Sequence, residues 1–133
     1  MIRLITLLAL LVSFNLQAKE LDLGSSMPLE EVKMLDISGK NISLTDAKGE
    51  NGLLVIFSRN TCPWVLKWQD RYVELAKKYK PKGIGVIAIN SNEMTFQSSV
   101  SMEKMKEHAN DNNYNFYYTM DEGSKLAREF GAS

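Results

Sequence analysis

The single cysteine of the chain, Cys62, stands between Thr61 and Pro63, with Arg59 three residues before it and Trp64 two residues after. Thiol chemistry runs through the thiolate, so the question is what would stabilise a negative charge on this sulfur. Cys62 follows an apolar run and precedes a helical pattern, which puts it at a helix N-terminus. Free N–H groups and the positive end of the helix dipole converge there, and both favour a thiolate. Pro63 suits the first helical position, because its missing N–H would have no partner there anyway. Arg59 offers a second positive charge, and Thr61 a hydroxyl beside the sulfur. Trp64 either covers the site or presents a flat surface to a partner. The candidate catalytic residues are therefore Cys62, Arg59 and Thr61, with Pro63 and Trp64 as the substrate or partner surface.

Competing readings stay open at this stage. A lone cysteine also serves as a small buried hydrophobe, and Arg59 also fits a solvated loop. Trp64 and Trp68 read as core residues before they read as a recognition surface. The only histidine, His108, falls in a charged helical stretch and reads as a surface residue, so no Cys–His pair is expected. Met94, Met102, Met105 and Met120 read as core filler. No cluster of His, Cys and carboxylates has metal-ligand spacing, no glycine-rich phosphate loop is present, and no cofactor is expected. With one cysteine there is no intrachain disulfide, so any partner sulfur comes from another molecule.

The elements that must position Cys62 are legible as changes of hydrophobic period. Residues 32–37 and 41–45 alternate around Ser38-Gly39-Lys40 and predict a β-hairpin. Residues 46–52 read as a loop. The run Leu53-Leu54-Val55-Ile56-Phe57 predicts a strand buried on both faces at the centre of a mostly parallel sheet. From Cys62-Pro63 to about Lys80, the residues Val65, Trp68, Tyr72, Leu75, Ala76 and Tyr79 mark one buried helical face. Lys77, Lys78 and Lys80 suit the negative end of that helix, and Pro81 and Gly83 end it. A second buried strand spans 84–89, residues 94–100 have no clear pattern, and a helix spans 101–109. A short strand follows over 114–119, then a helix over 124–130 capped by Gly131. Strands alternating with helices imply a parallel α/β core.

Bulk properties narrow the function. The chain has 133 residues, 44% apolar content, and 16 basic against 16 acidic residues. This supports one globular domain and gives no sign of nucleic-acid binding. Arg3 precedes an apolar stretch over 4–14, and Leu16-Gln17-Ala18 ends in a small residue before Lys19-Glu20. That layout predicts a secretory signal peptide over 1–18, since a membrane span needs about 20 apolar residues. The domain then spans 19–133, in a secreted or periplasmic location, with no membrane association after cleavage.

Residues 53–92 resemble the redoxin branch of the thioredoxin superfamily, which includes the alkyl hydroperoxide reductase/thiol-specific antioxidant group. The resemblance rests on the strand ending at Phe57, on Asn60-Thr61-Cys62-Pro63-Trp64-Val65, on Leu75-Ala76-Lys77-Lys78-Tyr79, and on Ile89-Asn90-Ser91-Asn92. The later stretch Lys125-Leu126-Ala127-Arg128-Glu129-Phe130-Gly131-Ala132 resembles the segment before that branch's cis-proline loop. The resemblance implies a thioredoxin-like α/β fold, with a central mostly parallel sheet flanked by helices and an N-terminal β-hairpin. It also implies that two strands and a helix of the family pattern are missing after Ser133. Arg59 occupies the place of the first cysteine of a two-cysteine motif, and Cys62 that of the second. Where peroxiredoxins carry Thr or Ser and Pro ahead of their cysteine, this chain has Arg59 and Val55. The expected function is an exported thiol oxidoreductase or antioxidant protein working through one cysteine, on a thiol or disulfide protein or a peroxide. The alternative is a catalytically impaired module that binds a protein or peptide.

Overall fold

The computed structural model describes residues 20–92 and 101–132. The expected signal peptide, the segment 94–100 and the reading of Met94 as core lie outside the described residues. The hairpin forms as β1 (Met34–Asp36) and β2 (Asn41–Ile42), with Gly39 at φ 82° in its turn. Asp36 anchors it from inside. Its carboxylate accepts from the Ser38 N–H at 2.9 Å and from the Tyr118 N–H at 2.8 Å.

The second strand is shorter than the alternation over 41–45 predicts, and the loop read over 46–52 begins later. Ser43 caps a short helix instead, α1 (Leu44–Ala47). Its hydroxyl accepts from the Asp46 N–H, and the Asp46 carboxylate accepts from the Ser43 N–H at 2.8 Å. This reciprocal capping box satisfies two free helix N–H groups and overrides the strand pattern. Leu44 and Ala47 are then buried on the helix's inner side.

Three parallel strands build the body of the sheet: β3 (Gly52–Phe57), β4 (Ile84–Asn90) and β5 (Tyr117–Met120). The order is β2-β1-β5-β4-β3, with β1 antiparallel to β2 and β5. Among the described residues β3 is an edge strand, half-buried along its length. Its apolar continuity has the cause expected, packing on both faces. Leu54 and Ile56 pack on one face of the sheet, and Leu53, Val55 and Phe57 on the other.

Both faces are covered. On one, α2 (Pro63–Tyr79) and α3 (Met102–Asp111) bury Val73, Ala76, Met105 and Ala109 against Val86, Ala88 and Tyr118. On the other, α1 and α4 (Lys125–Phe130) bury Leu44, Ala47 and Leu126 against Ile87 and Ile89. Each fully buried Leu or Ile contributes about 1.5–3 kcal/mol relative to exposure. Met102 and Met120 are half-buried. The expected strand over 114–119 pairs only from Tyr117, while Tyr114 and Phe116 stack as rings 4.6 Å apart.

Helix α2 starts and stops where its signals place it, but its inner face is rotated. Val65, Val73 and Ala76 are buried, whereas Leu75 and Trp68 are exposed and Trp64 is 69% exposed. The tryptophans are thus surface, not core. Lys67 Nζ lies 5.0 Å from the Trp64 ring centroid and the Arg71 guanidinium 3.8 Å from that of Trp68. These cations cover part of the ring faces and lower the cost of exposing them. His108 is half-buried rather than on the surface. It meets the Tyr114 hydroxyl at 3.2 Å on the α3 side, and burial lowers its pKa.

Candidate functional site

At the carboxyl ends of β3 and β4, a change from strand to loop leaves room for side chains to converge, the usual place for a site in a parallel sheet. A turn closes at the end of β3, where the Cys62 N–H donates to the Arg59 carbonyl at 3.2 Å. Cys62 is then the N-cap residue of α2, with extended backbone angles (φ −79°, ψ 123°), and Pro63 takes the first helical position. The Cys62 carbonyl accepts from the Leu66 N–H at 3.0 Å, the first turn of α2.

Those N–H groups, of Val65 and then Trp64, hold the Cys62 thiol below its ordinary pKa, and the Arg59 charge adds a smaller effect in the same direction. Partial burial opposes them. No cap hydrogen bond closes onto the neutral thiol. These N–H groups favour the charged sulfur, the stronger acceptor, over the neutral thiol. Cys62 acts on Tyr72 in turn: burial first, and the sulfur's charge second, raise the Tyr72 pKa.

Cys62 and Arg59 line one open cleft of about 560 Å³. Ser58, Asn90 and Ser91 from the strand ends and Arg128 from α4 line it as well. Thr61, Pro63 and Trp64 do not line this cleft; all three are exposed on its outer side. The site thus gathers two of the five sequence candidates and adds residues that sequence reasoning missed. Asn90 is fully buried. Its Oδ1 accepts from the Asn92 N–H at 3.1 Å, and its Nδ2 has no partner among the described residues. Ser58 is 8% exposed, and its hydroxyl is also unpartnered.

The far wall is held by Asp121, which is 1% exposed. Its carboxylate accepts from the N–H groups of Leu126 and Ala127 at 3.1 and 3.0 Å and from the Ser91 hydroxyl at 2.8 Å. One side chain thereby fixes the start of α4 to the ends of β4 and β5. Among the described residues, no group of three or more His, Cys, Asp and Glu side chains is placed to hold a metal ion. No helix there is long and apolar enough to cross a membrane.

Residues 23–133 match the AhpC/TSA family. The chain belongs to that family. Among similar proteins, peroxiredoxin Q of Gentiana triflora chloroplasts is 28% identical over 110 residues, covering 81% of this chain and 45% of the relative. The thiol-disulfide oxidoreductase ResA of Bacillus thuringiensis is 28% identical over 118 residues, covering 89% of this chain and 62% of the relative. The chain therefore spans about half to two-thirds of these relatives' length. A crystal structure of an uncharacterized conserved protein from Geobacillus kaustophilus superposes with a TM-score of 0.70 at 32% identity, over 80% of this chain and 59% of that one. The fold is thioredoxin-like, as the resemblance implies.

Proposed function

We propose that this protein is an exported thiol oxidoreductase or antioxidant protein that acts through Cys62 alone. One observation carries the reading: Cys62 is the N-cap residue of α2, lies half-buried in an open cleft, and has its thiolate favoured by the Val65 and Trp64 N–H groups. The chain has no second cysteine to close a disulfide within the motif. Against a peroxide, the thiolate takes the terminal oxygen. An S–O bond forms, the O–O bond breaks, and the departing alkoxide or hydroxide takes up a proton. Against a disulfide, Cys62 forms a mixed disulfide and one thiolate leaves. Either product awaits an external thiol. Arg59 assists by stabilising the thiolate. Thr61, Pro63 and Trp64 form the rim that a protein substrate would meet. Export rests on the layout of residues 1–18, with the domain following from residue 19.

Dimedone trapping after brief exposure to hydrogen peroxide tests this. The expected result is a single adduct on Cys62, absent from Cys62→Ser. If the thiol of the folded protein reacts no faster than free cysteine with both peroxide and a small disulfide, the enzyme reading is wrong.

The exposed Trp64 and Trp68 favour a second reading, a binding module that docks a peptide on α2. That reading predicts partner binding that survives Cys62→Ser and is lost in Trp64→Ala.

A further inference from the structure

Arg59 and Arg128 face the same cleft from β3's end and from α4, and neither forms an ion pair among the described residues. Among the described residues no Asp or Glu lines the cleft, and the Asp121 carboxylate behind its far wall is engaged by two α4 N–H groups and the Ser91 hydroxyl. Beneath the opening lie the buried Asn90 Nδ2, a donor, and the Ser58 hydroxyl, both without partners among the described residues. A buried donor left unpaired costs about 1–3 kcal/mol, so its retention in a cleft points to an acceptor supplied from outside. The helix N-terminus adds positive potential on the same side. At about 560 Å³ the cleft has the size of a small-molecule site rather than of a macromolecular groove.

We propose that the cleft binds a low-molecular-weight disulfide carrying carboxylate groups, with Arg59 and Arg128 holding the carboxylates and Asn90 Nδ2 and Ser58 Oγ donating to the ligand's acceptors. This rests on the reading of Cys62 as the reacting sulfur. The Cys62 thiolate attacks one sulfur of the bound disulfide. A Cys62–S–S bond forms, the ligand's S–S bond breaks, and the departing thiolate takes up a proton. Cys62 is oxidised and half of the ligand reduced. A cysteine thiolate of another protein then attacks the ligand's sulfur in the mixed disulfide: a new S–S bond joins that protein to the half-ligand, the Cys62–S–S bond breaks and Cys62 leaves as the thiolate, so the net reaction moves half of the ligand onto the protein thiol. Arginine suits this task because its planar fork pairs with carboxylates through two hydrogen bonds.

The test compares rates of mixed-disulfide formation at low ionic strength with glutathione disulfide, which is anionic, hydroxyethyl disulfide, which is neutral, and cystamine, which is cationic. Each rate is divided by that of free cysteine. Glutathione disulfide is expected to lead the neutral probe by about tenfold. Arg128→Gln should bring that ratio toward one, while Lys77→Gln, the same charge change on the exposed side of α2, should keep it. Arg128 is the informative position, since Arg59 also acts on the sulfur's own charge. A ratio unchanged in Arg128→Gln, or cystamine reacting fastest, overturns the proposal. If no probe reacts, the reading of Cys62 falls first. Calorimetric titration of Cys62→Ser with glutathione disulfide then decides the cleft: binding lost in the Arg128→Gln background supports the anion site, and no binding refutes it.

Discussion

Arg59 and Cys62 are joined by a single turn, and their side chains enter the same cleft, so the arginine's charge acts on the sulfur at short range. The helix N–H groups do more, because they are fixed and Arg59 is exposed to screening. Arg59→Gln should therefore raise the Cys62 pKa modestly and slow iodoacetamide alkylation at pH 7 about two- to fivefold. No change would show that the arginine serves only the ligand. Cys62 and Arg59 were legible in the sequence because their chemistry is written in the residue types and in a local strand-to-helix transition. Asn90, Ser58 and Arg128 were not. They lie 28, 4 and 66 residues from Cys62 in number, and only the convergence of β3, β4 and α4 gives them a shared cavity.

Among the elements, α1 shows how a cap outweighs a strand pattern. Ser43→Ala should cost about 1 kcal/mol, seen as a lower urea midpoint with unchanged slope. Its partner Asp46 supplies a pH dependence. A hydrogen bond from Lys33, followed by one from the Ser43 N–H, holds the Asp46 carboxyl at about 2 instead of 3.8. A carboxyl depressed on folding stabilises the protein above its unfolded pKa, and that contribution fades as pH falls through the folded pKa. The urea midpoint of the wild type should thus drop between about pH 4 and 2 more steeply than that of Asp46→Asn. Parallel curves would remove Asp46 from the account. Helix α2 was legible at both ends, because Pro63, the late lysines and Gly83 are local signals. Its inner face was not: Trp68 and Leu75 sit one step round from Val65, Val73 and Ala76, and periodicity cannot rank two adjacent apolar stripes.

Across the whole molecule, the layer order followed from alternating strand and helix patterns, and the thioredoxin-like fold from the residues around Cys62. The place of β3 at the edge of the sheet among the described residues did not, since an apolar strand packed on both faces looks the same at an edge as at the centre. What the sequence also concealed is how tightly the α1 loop lies on the sheet. A Cβ built on Gly85 would stand 1.8 Å from the Ala47 carbonyl oxygen, and one on Gly49 would stand 2.1 Å from that of Gly83. These are backbone atoms with no room to yield, so Gly85→Ala should destabilise by at least about 3 kcal/mol. A melting temperature within a few degrees of the wild type would show that the loop shifts freely. The central claim concerns the charge on one sulfur. The pH dependence of iodoacetamide alkylation on the folded full chain measures it directly. The account predicts an inflection below the value of about 8.5 for a free cysteine, moving up to that value in urea. An inflection at or above 8.5 in the folded protein would contradict it.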